Sequence, residues 1–352
     1  MTKLYNISEW NEQSWWNTGG TRDKKIYLNP EDNNIYYFKQ SFKKGQRDYK
    51  HEFWSEIIAS QIGKSLGIDI LEYDIAIRGN VIGCISKNMI NVESEELIEG
   101  GKYLHAFDNT FNPEDTKLRK NYDFDLILKS LIAFGKEIYI DDIIKTIVFD
   151  ALIGNSDRHQ ENWAIINIHS GISDRARILD DVLSQENKEL PTFLKKIVLT
   201  LFGKEGKSEL QKVRLLLPKT TRFAPIYDSG CSFGRELSDE KIENLISNDI
   251  DLKLYIEKGA AEIHWEKEKI SHFKLIENLL LTDFKTTVLK ALKNTKEKFE
   301  VEKVRAIVNN IDNSLLNNEN LDFLLPSQRK EFIIKSLTLR FSKLKEVYER
   351  FI

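Results

Sequence analysis

In the first hundred residues, short runs rich in aromatic and β-branched side chains are separated by turn-forming residues. Ile26-Tyr27-Leu28 and Ile35-Tyr36-Tyr37-Phe38-Lys39 flank the segment Pro30 to Asn34, a pattern that predicts a β-hairpin. Between residues 48 and 66 the period turns helical. Phe53, Ile57, Ile58 and Ile62 fall on one stripe, and Gly67 stands where a helix stops. Leu71 to Ile77 and Val81 to Ser86 then read as two strands around Arg78-Gly79-Asn80, a second hairpin.

Past residue 100 helical periodicity takes over. It predicts helices over 124–134 and 140–153, the second strongly apolar and ending at Gly154. Trp163 to Ile168 reads as a short strand, residues 183–217 as a polar, helical stretch, and Arg222 to Gly230 as a strand running into a turn. From Ser238 onward the pattern is almost wholly helical, with Pro326 expected in the first turn of the last helix. The predicted fold is α+β and bilobal. A small β-rich lobe with one helix spans residues 1–110, and a large, mostly helical lobe spans 111–352. A cleft between two such lobes is a natural ligand site.

The chain has 352 residues, 41% hydrophobic and 30% charged, enough to bury a core without a disulfide or metal staple. Its formal net charge of −3 gives no basic field, so direct nucleic-acid binding is not expected. Cys84 and Cys231 offer neither a disulfide framework nor a zinc spacing. That usage suits a reducing cytosol, and the first residues lack the apolar core of a signal peptide. A cytoplasmic location is expected, with secretion as an effector left open. No uncharged apolar run reaches the roughly 18 residues that a membrane span needs.

The chemistry concentrates in a few strings. Gly154-Asn155-Ser156-Asp157-Arg158-His159-Gln160-Glu161-Asn162 joins a buried-looking helix to a short strand. Phosphoryl transfer to a hydroxyl needs a carboxylate to take the proton and an oxygen ligand for Mg²⁺, and Asp157 and Asn162 stand at the spacing that lets one loop present both. Asp228, at the end of Ala224-Pro225-Ile226-Tyr227-Asp228-Ser229-Gly230, is a second hard oxygen ligand for Mg²⁺. Lys39 ends an aromatic strand and can reach nucleotide phosphates if a helix carboxylate holds it. Glu52 and Glu56 both offer one, and Glu56 fits the helix pattern better. Backbone amides of the turn at Gly19, Gly20 and Thr21 could cradle phosphates. Each string alone has a plainer reading as a cap, a turn or a solvated lysine; together they favour the sharper one. Zinc hydrolysis is disfavoured, because the chain has 6 histidines and no HExxH spacing.

The Asn155/Asp157/His159/Asn162 string, Tyr227-Asp228, Lys39 and the helix around Glu56 resemble the HipA-like serine/threonine kinases. In length the chain is similar to their compact HipT-like and CtkA-like forms. The resemblance covers roughly residues 18–275. It implies ATP and Mg²⁺ as cofactors, Asp157 as catalytic base, Asn162 and Asp228 as metal ligands, and Lys39 as a phosphate contact. It further implies that His159 shapes the loop and that adenine lies against Lys87, Asn88 and Met89. The family's usual Gly-x-Gln phosphate loop is replaced here by Gly-Gly-Thr-Arg-Asp-Lys, and residues 183–217 read as an insertion. The implied partners are a protein carrying a Ser or Thr acceptor and, for a toxin of a toxin–antitoxin system, an antitoxin protein. Autophosphorylation at Thr18 or Thr21 is an expectation of the same kind. Two alternatives stay open: a small-molecule phosphotransferase on the same lobes, and a nucleotide-binding pseudokinase serving as a binding module.

Overall fold

The computed structural model describes residues 2–13, 24–41, 49–112, 120–169, 215, 220–316 and 321–352, together with the backbone of 43–44 and 47–48. The expected hairpin forms from β3 (Lys24–Leu28) and β4 (Ile35–Gln40), with Ile26 opposite Tyr37 and Lys24 opposite Lys39. The second hairpin is β7 (Asp74–Arg78) and β8 (Val81–Lys87), turned through Gly79 at φ +56°, a conformation that costs glycine little. Both hairpins lie in one six-stranded sheet of order β1-β7-β8-β4-β3-β2. β1 (Leu4–Asn6) joins in parallel with β7, and β2 (Asn11–Glu12) pairs with β3. A small ribbon of β5 (Lys43–Lys44) and β6 (Arg47–Asp48) precedes the first helix.

That helix, α1 (Glu52–Ser65), starts four residues later than its pattern predicts. Its burial also goes beyond one stripe: Phe53, Trp54, Ile57, Ile58, Ala59 and Ile62 are all inaccessible, and so are Glu52 and Glu56. The helix is enclosed because the sheet covers one side and the helical lobe the other. On the outer face of the sheet, Ile7, Tyr27, Tyr36, Phe38, Ala76 and Ile85 pack into a separate cluster beneath Tyr5 and Trp10.

The crossing into the second lobe is made by β9 (Glu95–Glu99), which pairs antiparallel with β10 (Ala164–Ile168); β10 in turn pairs with β11 (Thr220–Phe223). β9 runs directly into α2 (Gly100–Phe107). A Cβ at Gly100 would stand 2.1 Å from the Trp163 ring, so no larger residue fits this junction. α3 (Phe124–Ala133) and α4 (Ile140–Ile153) form as the periodicity predicts. Gly154 closes α4 in the left-handed conformation, φ +70°. The strand expected over 222–230 ends at Phe223. Pro225 has no N–H to give a ladder, and beyond it the chain keeps only a single parallel bridge, Ile226 to Ile70.

The remainder is helical: α5 (Asp239–Ser247), α6 (Asp249–Lys258), α7 (His272–Leu279), α8 (Lys285–Lys298), α9 (Val301–Asn309) and α10 (Ser327–Phe351). Pro326 sits one residue outside α10, at its N-cap, because its ψ of 143° is extended. The stretch 183–217 lies outside the described residues except for Leu215, which is buried. Among the described residues no helix is long and apolar enough to cross a membrane. The architecture is α+β, with a curled β-rich region followed by a mostly helical one.

Candidate active site

Strand alternation decides which side chains face the helical lobe. On β4, Tyr36 and Phe38 enter the outer cluster, so Tyr37 and Lys39 face inward. Register places Lys24, Cys84 and Ser86 on the same inner face. Lys39 is buried there, and its ammonium donates to Glu56 Oε1 and, at 2.7 Å, to Asp228 Oδ1. The other carboxylate oxygen of Asp228 lies 3.7 Å from Lys24 Nζ. Two lysines of one hairpin therefore converge on one carboxylate of the opposite lobe.

Glu56 is fully enclosed. Burial pushes its carboxyl up, while Lys39 and the Ser229 N–H, which donates to Oε2 at 2.7 Å, pull it down. Between the two glutamates open at the sequence level, Glu56 takes the Lys39 pair, and Glu52 receives Arg235 at 3.2 Å. Both flank Gly230, where a Cβ would stand 3.0 Å from Glu56 and 3.2 Å from Glu52. α1 thus grips the turn after Asp228 through two carboxylates one helical turn apart.

Asp228 itself has φ +54°, in the left-handed region that non-glycine residues rarely occupy. Such a backbone costs about 1–3 kcal/mol and persists only where its surroundings hold it. Here the neighbours are held on both sides. Tyr227 donates its hydroxyl to the Glu161 carbonyl at 2.7 Å, and Ser229 is fixed by Glu56.

The loop after α4 is braced from within. Asn155 Oδ1 accepts the Asp157 N–H at 3.2 Å, while its Nδ2 donates to Asp150. His159 is half-buried. Its Nδ1 accepts the Glu161 N–H at 3.2 Å, and its carbonyl accepts the Asn162 N–H at 2.9 Å, so it shapes the turn. Asn162 donates through Nδ2 to the Asp157 carbonyl at 2.7 Å, so its amide closes the loop back on Asp157. Cys231 is more than a packed side chain: its thiol donates to Asp157 Oδ2 at 3.1 Å. Its carbonyl also accepts the Ser156 N–H at 3.4 Å, so the turn after Asp228 runs alongside the Asp157 loop.

Sequence reasoning passed over Arg158 and Asp150. Both are buried, joined by two hydrogen bonds of 2.9 and 2.8 Å. The signal was Asp150, the one charge in the apolar second half of α4, on its buried side. Lys24 reads in the sequence only as the end of the Gly-Gly-Thr-Arg-Asp-Lys turn, and its part follows from its register with Lys39.

At the lobe connection, Met89 packs with Ala164, Ile166, Ala224 and Tyr227 into an apolar floor, and its carbonyl accepts Arg222 at 2.8 Å. Asn88 donates its N–H to Ile35 at 2.8 Å. Lys87 is exposed and aligned with Tyr36, so its side chain lies on the outer face and away from Lys39. Thr18, Gly19, Gly20 and Thr21 lie outside the described residues.

Mg²⁺ commonly takes one or two protein oxygens and fills its shell with phosphate and water. Asp228 and the Asn162 amide oxygen fit that role. Among the described residues no three His, Cys, Asp or Glu side chains gather as a metal cluster, and a cation shared with a nucleotide needs none.

A curled β-sheet lobe set on a helical lobe, with a strand lysine paired to a glutamate of its own lobe's helix and to an aspartate across the cleft, is a kinase-like bilobal fold. It is similar to the crystal structure of the Helicobacter pylori proinflammatory kinase CtkA, with a TM-score of 0.70 over 99% of this chain and 97% of that one, at 17% identity. HipA of Shewanella oneidensis MR-1, in its complex with HipB and operator DNA, aligns with a TM-score of 0.40 at 12% identity, over 89% of this chain and 58% of that one. The second alignment adds nothing to the fold assignment. No protein-family model and no curated protein matches the sequence.

Proposed function

We propose that this protein transfers the γ-phosphoryl group of ATP to a Ser or Thr hydroxyl of a protein, with Mg²⁺. The observation that carries the reading is the convergence of Lys39, Glu56 and Asp228 through direct contacts, with the Asp157 loop tied to the same turn by Cys231. Its similarity in fold to a structure described as a kinase supports it.

In this reading Lys39 and Lys24 supply positive charge where nucleotide phosphates lie, and Glu56 fixes the direction of Lys39. Asn162 and Asp228 hold the metal. Mg²⁺, when bound, neutralises charge on the phosphoryl oxygens. Asp157 accepts the acceptor hydroxyl's proton as that oxygen bonds to the γ-phosphorus and the bond to ADP breaks. Met89 and its apolar neighbours form the surface for the adenine, with Asn88 beside them. Residues 1–110 serve the nucleotide and 111–352 the catalytic and metal loops, with β9 of the first part reaching into the sheet of the second.

The substrate class is tested by incubating the purified chain with labelled ATP, Mg²⁺ and a cell lysate, then identifying the phosphorylated amino acid. Phosphoserine or phosphothreonine in protein is the expected result. Label confined to a small molecule would replace it with the metabolite phosphotransferase. Phosphate on Thr18 or Thr21 of the chain itself would establish autophosphorylation.

A further inference from the structure

Asn162 and Asp228 belong to separate segments, and a metal shared between them requires a set distance. A single guanidinium touches both segments. Arg158 Nη1 donates to the carbonyl of Asn162 at 2.9 Å and also to the carbonyl of Tyr227, the residue before Asp228. Arg158 Nη2 donates at 3.3 Å to Ser229 Oγ, on the residue after Asp228. The group cannot swivel between these partners, because Nε and Nη2 are also held by the two oxygens of Asp150. Arg158 and Asp150 are 2% and 3% exposed, so no water competes for the contacts.

We propose that Arg158, oriented by Asp150, is a positioning residue that sets the spacing of the metal ligands Asn162 and Asp228 and thereby the affinity of the cleft for Mg²⁺. This rests on the phosphoryl-transfer reading above. The planar fork of arginine suits the task, since it bonds several acceptors in fixed directions, whereas lysine presents one rotatable ammonium. Asp228 adds to the need: with its backbone at φ +54°, the aim of its carboxylate depends on how Tyr227 and Ser229 are held. Mg²⁺ demands near-ideal octahedral geometry and Ca²⁺ tolerates variation, so a loosened spacing weakens Mg²⁺ more than Ca²⁺.

The test measures binding of a fluorescent ADP analogue to the full chain and to the Arg158→Lys and Asp150→Asn variants. Each is measured in EDTA and then with increasing Mg²⁺ or Ca²⁺, and folding is followed by circular dichroism. The expected result for Arg158→Lys is binding in EDTA close to that of the original chain. Its half-saturating Mg²⁺ concentration should rise about tenfold or more, as when an outer-shell partner of a metal site is lost. The shift should be smaller with Ca²⁺, and Asp150→Asn should move the same way by less. A folded Arg158→Lys with unchanged Mg²⁺ dependence would overturn the proposal. Unfolding of both variants would make the pair a structural brace only, and would overturn it too. Failure of the original chain to bind the nucleotide under any condition would strike the phosphoryl-transfer reading itself, and this inference with it.

Discussion

The two walls of the cleft hold their charges differently. On the helical wall, Asp150, Asn155, Arg158 and Asn162 bond one another, and the bonds that leave the loop reach α4 and the Tyr227–Ser229 turn of the same lobe. On the sheet wall, Lys24 and Lys39 find their carboxylates elsewhere, on α1 and on the opposite lobe. A group held by its own neighbours keeps its geometry when the lobes move. A group held across the gap reports whether they are closed. The helical wall should therefore govern stability, and the sheet wall should govern ligand binding with less effect on folding.

The sharpest separation comes from removing one cation on each side. Arg158→Met leaves Asp150 buried without its partner, and an equilibrium denaturant titration should show a loss of about 3–5 kcal/mol. Gly100→Ala tests the same wall by crowding, since the new Cβ meets Trp163; a loss of about 1–3 kcal/mol is expected, read by the same titration. Lys39→Met should cost less, about 1–2 kcal/mol, because burial already pushes the Glu56 carboxyl up and lets it take a proton. Nucleotide binding by that variant, followed by fluorescence titration, should nevertheless fall steeply. If Lys39→Met proved the more destabilising of the two cation variants, the contrast between the walls would fail.

The smallest effect lies at the rim. Burial raises the Glu95 carboxyl, but hydrogen bonds from Arg222 and the Asn91 N–H outweigh it and leave the group below its ordinary value of 4.5. A depressed carboxyl contributes stability that is present above 4.5 and lost as pH falls through the folded-state value. Arg222→Ala should therefore flatten the acid side of a melting-temperature profile below that point and change little near neutrality.

What could be read from the sequence was local. The Lys24–Leu28 and Ile35–Gln40 hairpin, α1, α4 and the Asp157–Asn162 loop each carry their pattern within about twenty residues, and each forms. The parallel pairing of β1 with β7 was not legible, because a three-residue strand has no periodicity of its own and its partner lies some seventy residues on. The choice between Glu52 and Glu56 depended on the placement of Asp228 and Arg235, which local pattern does not carry. Arg158 was visible as a letter inside the loop, but its five hydrogen bonds go to four residues in three segments. Asp150, as the one charge in the apolar second half of α4, was the clue within reach.

Phosphoryl transfer by these convergent side chains is the proposal on which the contrast between the walls depends. The most direct measurement is transfer of label from γ-labelled ATP with Mg²⁺ by the purified chain, beside Asp157→Ala and Asp228→Ala variants shown to be folded. Transfer by the original chain and a loss of about a thousandfold or more in each variant are expected. Equal transfer by all three proteins, or none by the folded original chain, would contradict the proposal.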